Sequence, residues 1–305
     1  MNNNTNGKKE VSVYEAVTRQ ILRNLSNGDL PWRQTWSVGK NGRHAIVNHF
    51  TGKPYSLLNT LLIGEPGEYA TFKQIIGAGG NIPKGTKGRM VIRKGEYIPE
   101  EKKEEAERLE KEGKSISHLK KTYLKRFWVF NIKDATGLPE KEQAPETVME
   151  AAEDPTMRAN LVIGDYRVNE SLDVEEDEDL SPAYLPGTDS VTMPPKQSFT
   201  YEEDFYASLF EQFVHSTATE GRCGRKAELK HMKEGTLTPK EGLIAEIASS
   251  MILTVTGLRR HQTHEQISAE CQRWIREMNN DYRLIVDAAP CAEKAAKLIL
   301  GDYAA

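Results

Sequence analysis

Cysteine is scarce in this chain. Its 305 residues include three, Cys223, Cys271 and Cys291, an odd number with no C-x-x-C spacing. A disulfide framework and a cysteine-ligated zinc site are therefore excluded as organising devices. Long apolar runs are missing too. None approaches the ~20 residues needed to cross a membrane, and no membrane partner is expected. The opening stretch MNNNTNGKKE lacks an apolar core, so it does not read as a secretory signal. Residues 1–10 are expected to be a disordered leader and the protein to be cytoplasmic. The glycine-rich segments hold no G-x-x-x-x-G-K-[ST] phosphate loop. Internal repeats are absent, as is a recognition helix suited to the duplex major groove.

What the chain does have is segregated charge. Lys and Arg number 41, Asp and Glu 45, a net of −4. Residues 1–133 hold 24 of the basic and 13 of the acidic groups, net +11, and residues 134–305 hold the other 17 and 32, net −15. A basic half joined to an acidic half points to a polyanion as the partner of the first, with nucleic acid foremost. With 38% hydrophobic residues over this length, two domains with sizeable cores are possible.

Apolar spacing predicts helices over 11–28, 55–63, 69–82, 201–218, 238–257, 264–280 and 290–303. Asn27-Gly28 stops the first; Thr238, Pro239 and Gly257 supply an N-cap, a first-turn proline and a stop for the fifth. Runs rich in β-branched and aromatic residues predict strands over 90–98 and 126–132. Between them, PEEKKEEAERLEKEGK reads as a solvated helical insertion with Glu–Lys pairs one turn apart. The segment 171–182, SLDVEEDEDLSP, reads as an acidic surface loop; it lacks the glycine and spacing of a calcium loop.

Three features of the basic half carry nucleic-acid chemistry. In PWRQTW, Trp32 and Trp36 bracket Arg33; they serve either as base-stacking rings or as anchors of the loop to the core. In GNIPKGTKGRMVIRKG, a glycine-rich turn carries Lys84, Lys87, Arg89, Arg93 and Lys94. It is either a backbone cradle for phosphates or a solvated hairpin turn. In KKTYLKRFWVFN, Arg126 and Trp128 lie on an aromatic strand whose alternate residues face opposite ways. Lys53 is a further phosphate contact and Tyr55 a further stacking ring.

The order NHFTGKPYSLLN, YATFKQIIGAGGNIPKGTKGRMVI, RFWVFNIKDATGL resembles the N-terminal domain of the ArdC-type antirestriction proteins, which are carried by plasmids and other mobile elements. AYLPGTDSVTMPP and NDYRLIVDAAPCAEKAAKLIL resemble later parts of the same family, so the likeness spans about residues 11–300 apart from the charged insertion and the acidic loop. It implies a sequence-tolerant single-stranded DNA-binding domain followed by a zincin-like metallopeptidase domain.

That second domain is where the chain departs from the pattern. A zincin helix reads H-E-x-x-H: two histidines hold zinc and the glutamate takes a proton from metal-bound water. In LFEQFVHST the three positions are Glu211, Gln212 and His215. A carboxamide does not titrate near neutral pH and cannot serve as that base. The family's downstream zinc glutamate falls on Gly242, or on Glu241 after a one-residue shift. Glu211, His215 and Glu246 could form a two-carboxylate, one-histidine site that suits iron or manganese as readily as zinc. Alternatively, Glu211 and His215 form a hydrogen-bonded pair in a retired site, or the segment is an ordinary amphipathic core helix. His261 and His264 read as solvated surface.

The expectation is an α+β protein. It has a single-stranded-DNA-binding domain over 11–138 with a charged insertion at 99–117, a linker over 139–182, and a zincin-like domain over 183–305. The resemblance implies antirestriction function, with single-stranded DNA as partner and host restriction enzymes as a possible second one. No catalytic residues and no cofactor are expected, the family's zinc being lost. The alternatives are a metallopeptidase with altered ligands and a protein-binding decoy of a restriction enzyme.

Overall fold

The computed structural model describes residues 11–33, 46–139 and 154–304. Helix α1 (Val13–Ser26) starts where the Ser12 hydroxyl accepts from the Glu15 amide at 3.1 Å. Its buried Val17, Ile21 and Leu25 recur one turn apart. Strand β1 (Ile46–Asn48), helix α2 (Leu57–Ile63), strand β2 (Gly67–Thr71) and helix α3 (Phe72–Gly77) follow. The single helix expected over 69–82 is therefore a strand turning into a short helix. Tyr69 and Ala70 are buried in the sheet, and a capping box between Thr71 and Gln74 starts α3.

Strands β3 (Arg89–Tyr97) and β4 (Lys121–Asn131) form a long antiparallel ribbon, with α4 (Lys103–Lys111) in the charged connection between them. The sheet runs β1-β2-β4-β3, with β1 and β2 parallel and the other pairs antiparallel.

The second half holds α5 (Pro155–Glu170), β5 (Asp173–Glu176), β6 (Ala183–Leu185), β7 (Ser190–Met193) and α6 (Glu202–Ser216). Then come α7 (Lys226–Lys233), α8 (Pro239–Thr256), α9 (His264–Asn280) and α10 (Leu284–Leu300). Two of these elements correct the expectation of a linker over 139–182. Helix α5 is capped by the Asp154 side chain and buries Ala159, Val162 and Tyr166. The acidic segment contributes β5, which pairs parallel to β7 in a second sheet ordered β5-β7-β6. Residues 140–153 lie outside the described ones. Helix α8 is bounded as its sequence predicts, with Thr238 as N-cap and Gly257 left-handed at its end.

The molecule is α+β, with an α/β N-terminal part and a mainly helical C-terminal part. One hydrophobic core nevertheless runs through both. It joins Val17, Ile21, Leu25, Leu30, Trp32 and the leucines of α2 to Phe210, Phe213, Ile247, Trp274 and Ala292. Each such large apolar side chain contributes about 1.5–3 kcal/mol when buried, so the two parts stabilise one another. Helix α1 lies against α9 and α10, and the Thr18 hydroxyl donates to the Tyr282 carbonyl at 2.7 Å. Ile46, Ile63, Tyr69, Val91 and Val129 form a smaller, separate cluster.

Candidate functional site

Directly opposed residues of an antiparallel pair share a face, and neighbours along a strand alternate. In the β3–β4 register, Trp128 lies opposite Met90 and Arg126 opposite Ile92 on one face. Arg93 lies opposite Lys125, and Arg89 opposite Val129, on the other. The basic and aromatic residues singled out from the sequence are thus divided between two surfaces.

On the first face Trp128 is 56% exposed. Phe130 shares that face two residues along, and its ring meets Phe72 edge-on at 6.4 Å. Gly88 backs onto both strand residues: an added Cβ would come within 3.2 Å of Phe130 and 3.5 Å of Trp128. Glycine is what lets the preceding loop lie against the Phe130 ring and the base of the Trp128 side chain, and that loop carries the exposed Lys84 and Lys87. Phe72, Ile76 and Trp128 are large and exposed, with Arg126 also exposed beside them on β4.

Other expected contacts are engaged elsewhere. Trp32 is fully buried. Its indole N–H donates to Glu246 Oε1 at 2.7 Å, and its ring meets Trp274 edge-on at 6.3 Å. No face of that ring is left for a base, so Trp32 anchors the loop to the core. Arg33 points into the C-terminal half: its Nη2 is 2.6 Å from Glu270 and 3.8 Å from Glu246. Tyr55 is half-buried against the smaller cluster, and burial raises its phenol pKa. Arg89 is ion-paired to Glu65 at 2.7 Å, and Lys53 is exposed on the turn after β1. Trp36 lies outside the described residues.

In the C-terminal half, α6 carries Glu211, Gln212 and His215 as expected, but they do not meet as a site. Glu211 accepts from Arg260 Nη1 at 2.6 Å. Gln212 accepts the Tyr184 amide at 3.0 Å. His215 Nδ1 lies 3.0 Å from Glu241 Oε1, so the one-residue shift, and not Gly242, brings a carboxylate to this histidine. The expected Glu211–His215 pair is replaced by these two separate pairings.

Arg225 forks onto the same carboxylate, Nε to Oε2 at 2.8 Å and Nη2 to Oε1 at 2.6 Å, and also reaches Thr217 Oγ1 at 2.7 Å. Burial acts to raise the Glu241 carboxyl. The hydrogen bonds from His215 and Arg225 outweigh it and hold the pKa below the usual carboxylate value.

Glu246, five residues on, projects roughly 140° around the helix from Glu241 at 3.6 residues per turn. Its two oxygens accept the indole N–H groups of Trp32 and Trp274, each at 2.7 Å. Burial and the neighbouring Glu270 charge push its carboxyl up to about 8, against the pull of Arg33 and the two indoles. Glu246 therefore belongs to the junction between the two halves, not to the His215 cluster.

Residues 11–130 match the N-terminal domain of anti-restriction factor ArdC, and residues 168–291 match a zincin-like metallopeptidase family. The metal-free crystal structure of the antirestriction ArdC protein from plasmid R388 aligns with a TM-score of 0.64 at 28% identity, covering 96% of this chain and 98% of that one. The chain is an ArdC-type protein. The Mn(II)-bound form of the R388 protein aligns equally well, with a TM-score of 0.64 at 26% identity. Two DNA primases named TraC from Escherichia coli are 27% and 26% identical over 94% of this chain. The ArdC-type chain spans only 27% and 20% of the length of those primases. The uncharacterised protein y4eC of Sinorhizobium fredii is 24% identical over 93% of this chain and 90% of its own length.

The R388 relative binds Mn(II), but the described residues around Glu211, His215 and Glu241 do not fit a metal centre. A dication at Glu211 would have to displace Arg260; one at Glu241 would meet the Arg225 guanidinium within hydrogen-bond distance of the same oxygens. Among the described residues, no three His, Cys, Asp or Glu are grouped to share an ion. Sequence reasoning missed Arg225, Arg260 and Trp274. One signal was available: Glu241 and Glu246 interrupt the apolar run of α8, and a buried carboxylate demands partners. Which residues supply them is set by tertiary packing: His215 comes from α6, Arg225 from the segment before α7, Trp32 from the turn after α1 and Trp274 from α9.

Proposed function

We propose that this ArdC-type chain binds single-stranded DNA with little sequence preference and so protects mobile-element DNA from restriction, and that its zincin-like domain is a pseudoenzyme. The observation that carries the DNA-binding reading is the exposed Trp128, with Phe130 and Arg126 on its face and the loop bearing Lys84 and Lys87 packed at Gly88 on the Phe130 ring beside it. Stacking on such a ring is worth about 1–3 kcal/mol per base and tolerates any base, because every base has a π face. Lysines and arginines around it neutralise phosphates without reading sequence. The names of the relatives, an antirestriction protein and DNA primases, agree with this reading.

The pseudoenzyme reading is supported by the chemistry of the remnant site. Gln212 cannot accept a proton, and its amide oxygen is committed to the Tyr184 backbone. Guanidinium groups of Arg260 and Arg225 hold the carboxylates of Glu211 and Glu241.

Fluorescence anisotropy with labelled oligo-dT tests the first reading. Binding should weaken with salt at a log–log slope of about −0.7 per phosphate contacted; a flat response overturns it. Calorimetric titration with Mn(II) and Zn(II) tests the second. Stoichiometric uptake together with chelator-sensitive proteolysis would restore the peptidase reading. A decoy of a restriction enzyme would keep its protective effect in cells when oligo-dT binding is abolished.

A further inference from the structure

We propose that the opposite face of the β3–β4 ribbon is a second track for the unpaired DNA strand, with Tyr123 and Tyr97 as its stacking rings and Arg93 and Lys125 as its phosphate contacts. This rests on the DNA-binding reading above and extends it to a surface separate from that of Trp128.

Register places Phe127, Lys125, Tyr123 and Lys121 of β4 on one face with Arg93, Gly95 and Tyr97 of β3. No acidic residue of either strand shares it. Arg93 lies directly opposite Lys125, Gly95 opposite Tyr123 and Tyr97 opposite Lys121. Cation and ring therefore alternate along the ribbon. Lys125 Nζ sits 5.6 Å from the centre of the Phe127 ring, a cation–π distance. The Tyr97 and Tyr123 rings meet edge-on at 6.0 Å.

Gly95 gives the arrangement its shape. The Tyr123 ring lies across it, and an added Cβ would collide with the ring atoms. An aromatic ring laid over a cross-strand glycine is held in place by backbone. Here it still leaves Tyr123 47% exposed, with Tyr97 48% exposed beside it. Neither ring belongs to a core cluster, unlike Val91 and Val129 further along the same face. Two ordered, half-exposed tyrosines flanked by cations complement an anionic chain bearing flat bases. Beyond Tyr97 the surface turns acidic: that ring borders a cleft where Lys103 and Lys120 pair with Glu100 and Glu96, leaving Glu107 and Glu110 in excess. Phosphates are repelled there, so the track ends at Tyr97 and runs back toward Phe127.

Two measurements on the full chain decide the matter. In anisotropy titrations, Tyr97→Ala with Tyr123→Ala should weaken oligo-dT binding about tenfold or more while leaving the salt slope unchanged, since stacking releases no counterions. Arg93→Ala with Lys125→Ala should reduce the magnitude of the slope by about 1.4, twice ~0.7. Wild-type protein photocrosslinked to iodouracil-substituted oligonucleotide should yield adducts at Tyr123 or Tyr97, a result that needs no variant to fold. Adducts confined to Trp128, with the tyrosine variant binding as wild type, would sink the second track and leave DNA binding intact. Failure of the wild-type protein to bind oligo-dT would overturn both.

Discussion

Trp32 and Trp128 are the same side chain in opposite circumstances. Trp32 has no solvent-exposed surface and donates its N–H to a buried carboxylate, whereas Trp128 is 56% exposed on a strand. Their substitutions should separate cleanly. Trp32→Ala should lower stability by about 3–5 kcal/mol, the usual cost of deleting a buried aromatic, read as a fall in the urea midpoint. Trp128→Ala should change stability by no more than about 0.5 kcal/mol, as surface changes do, and weaken oligo-dT binding by about 1–3 kcal/mol. A Trp128→Ala protein that binds as tightly as wild type would remove this ring from the site. Sequence could not assign the two roles. Both tryptophans neighbour an arginine, and an indole is amphipathic enough for either place. What decides is that Pro31 and Trp32 follow a helix packed against α9, whereas Trp128 lies on the ribbon beside a glycine loop.

At the scale of elements, helices with complete start and stop signals were legible. Helices α1 and α8 begin and end within about two residues of where caps and glycines place them. Helix α5 escaped notice because Met157, Leu161 and Val168 are apolar yet exposed, so its buried Ala159, Val162 and Tyr166 mark no single apolar stripe in the sequence. Its start signal, Asp154 before Pro155, was nevertheless present. The pattern on α6 was legible as a degraded metal motif, but its rewiring was not, because the arginines come from a turn and a loop distant in sequence. That rewiring has an energetic signature. Arg225 and Glu241 are nearly or fully buried, and removing one partner of such a pair leaves an uncompensated charge. Arg225→Met should therefore cost about 3–5 kcal/mol. Arg225→Met with Glu241→Leu should cost less than Arg225→Met alone, since an apolar pair carries no stranded charge. Urea unfolding of the single and double variants checks this. A double variant less stable than the single would show that Glu241 is held chiefly by His215 rather than by Arg225.

Across the whole molecule, the charge asymmetry seen in the sequence maps onto two parts that share one core, and their junction contains a titrating group. Trp32 and Arg33 come from the basic half; Glu246, Glu270 and Trp274 come from α8 and α9. The junction was invisible in sequence because its members lie more than two hundred residues apart along the chain. The folded Glu246 carboxyl is pushed up to about 8 by burial and by the Glu270 charge, against Arg33 and the two indole donors. An unfolded glutamate releases its proton near 4.3. Between those values the folded state retains a proton that the unfolded state has lost, so stability falls as pH rises. The contribution is complete below about 4.3 and is lost as pH climbs through about 8. Glu246→Gln cannot titrate, so the stability of wild type relative to this variant should fall steadily from pH 5 to pH 8. Denaturant unfolding at matched ionic strength across that range measures it. A relative stability that stays constant or rises with pH would mean that the indole donors and Arg33 keep the carboxylate ionised. The two halves would then be joined by a permanent charge and not by a proton-dependent contact.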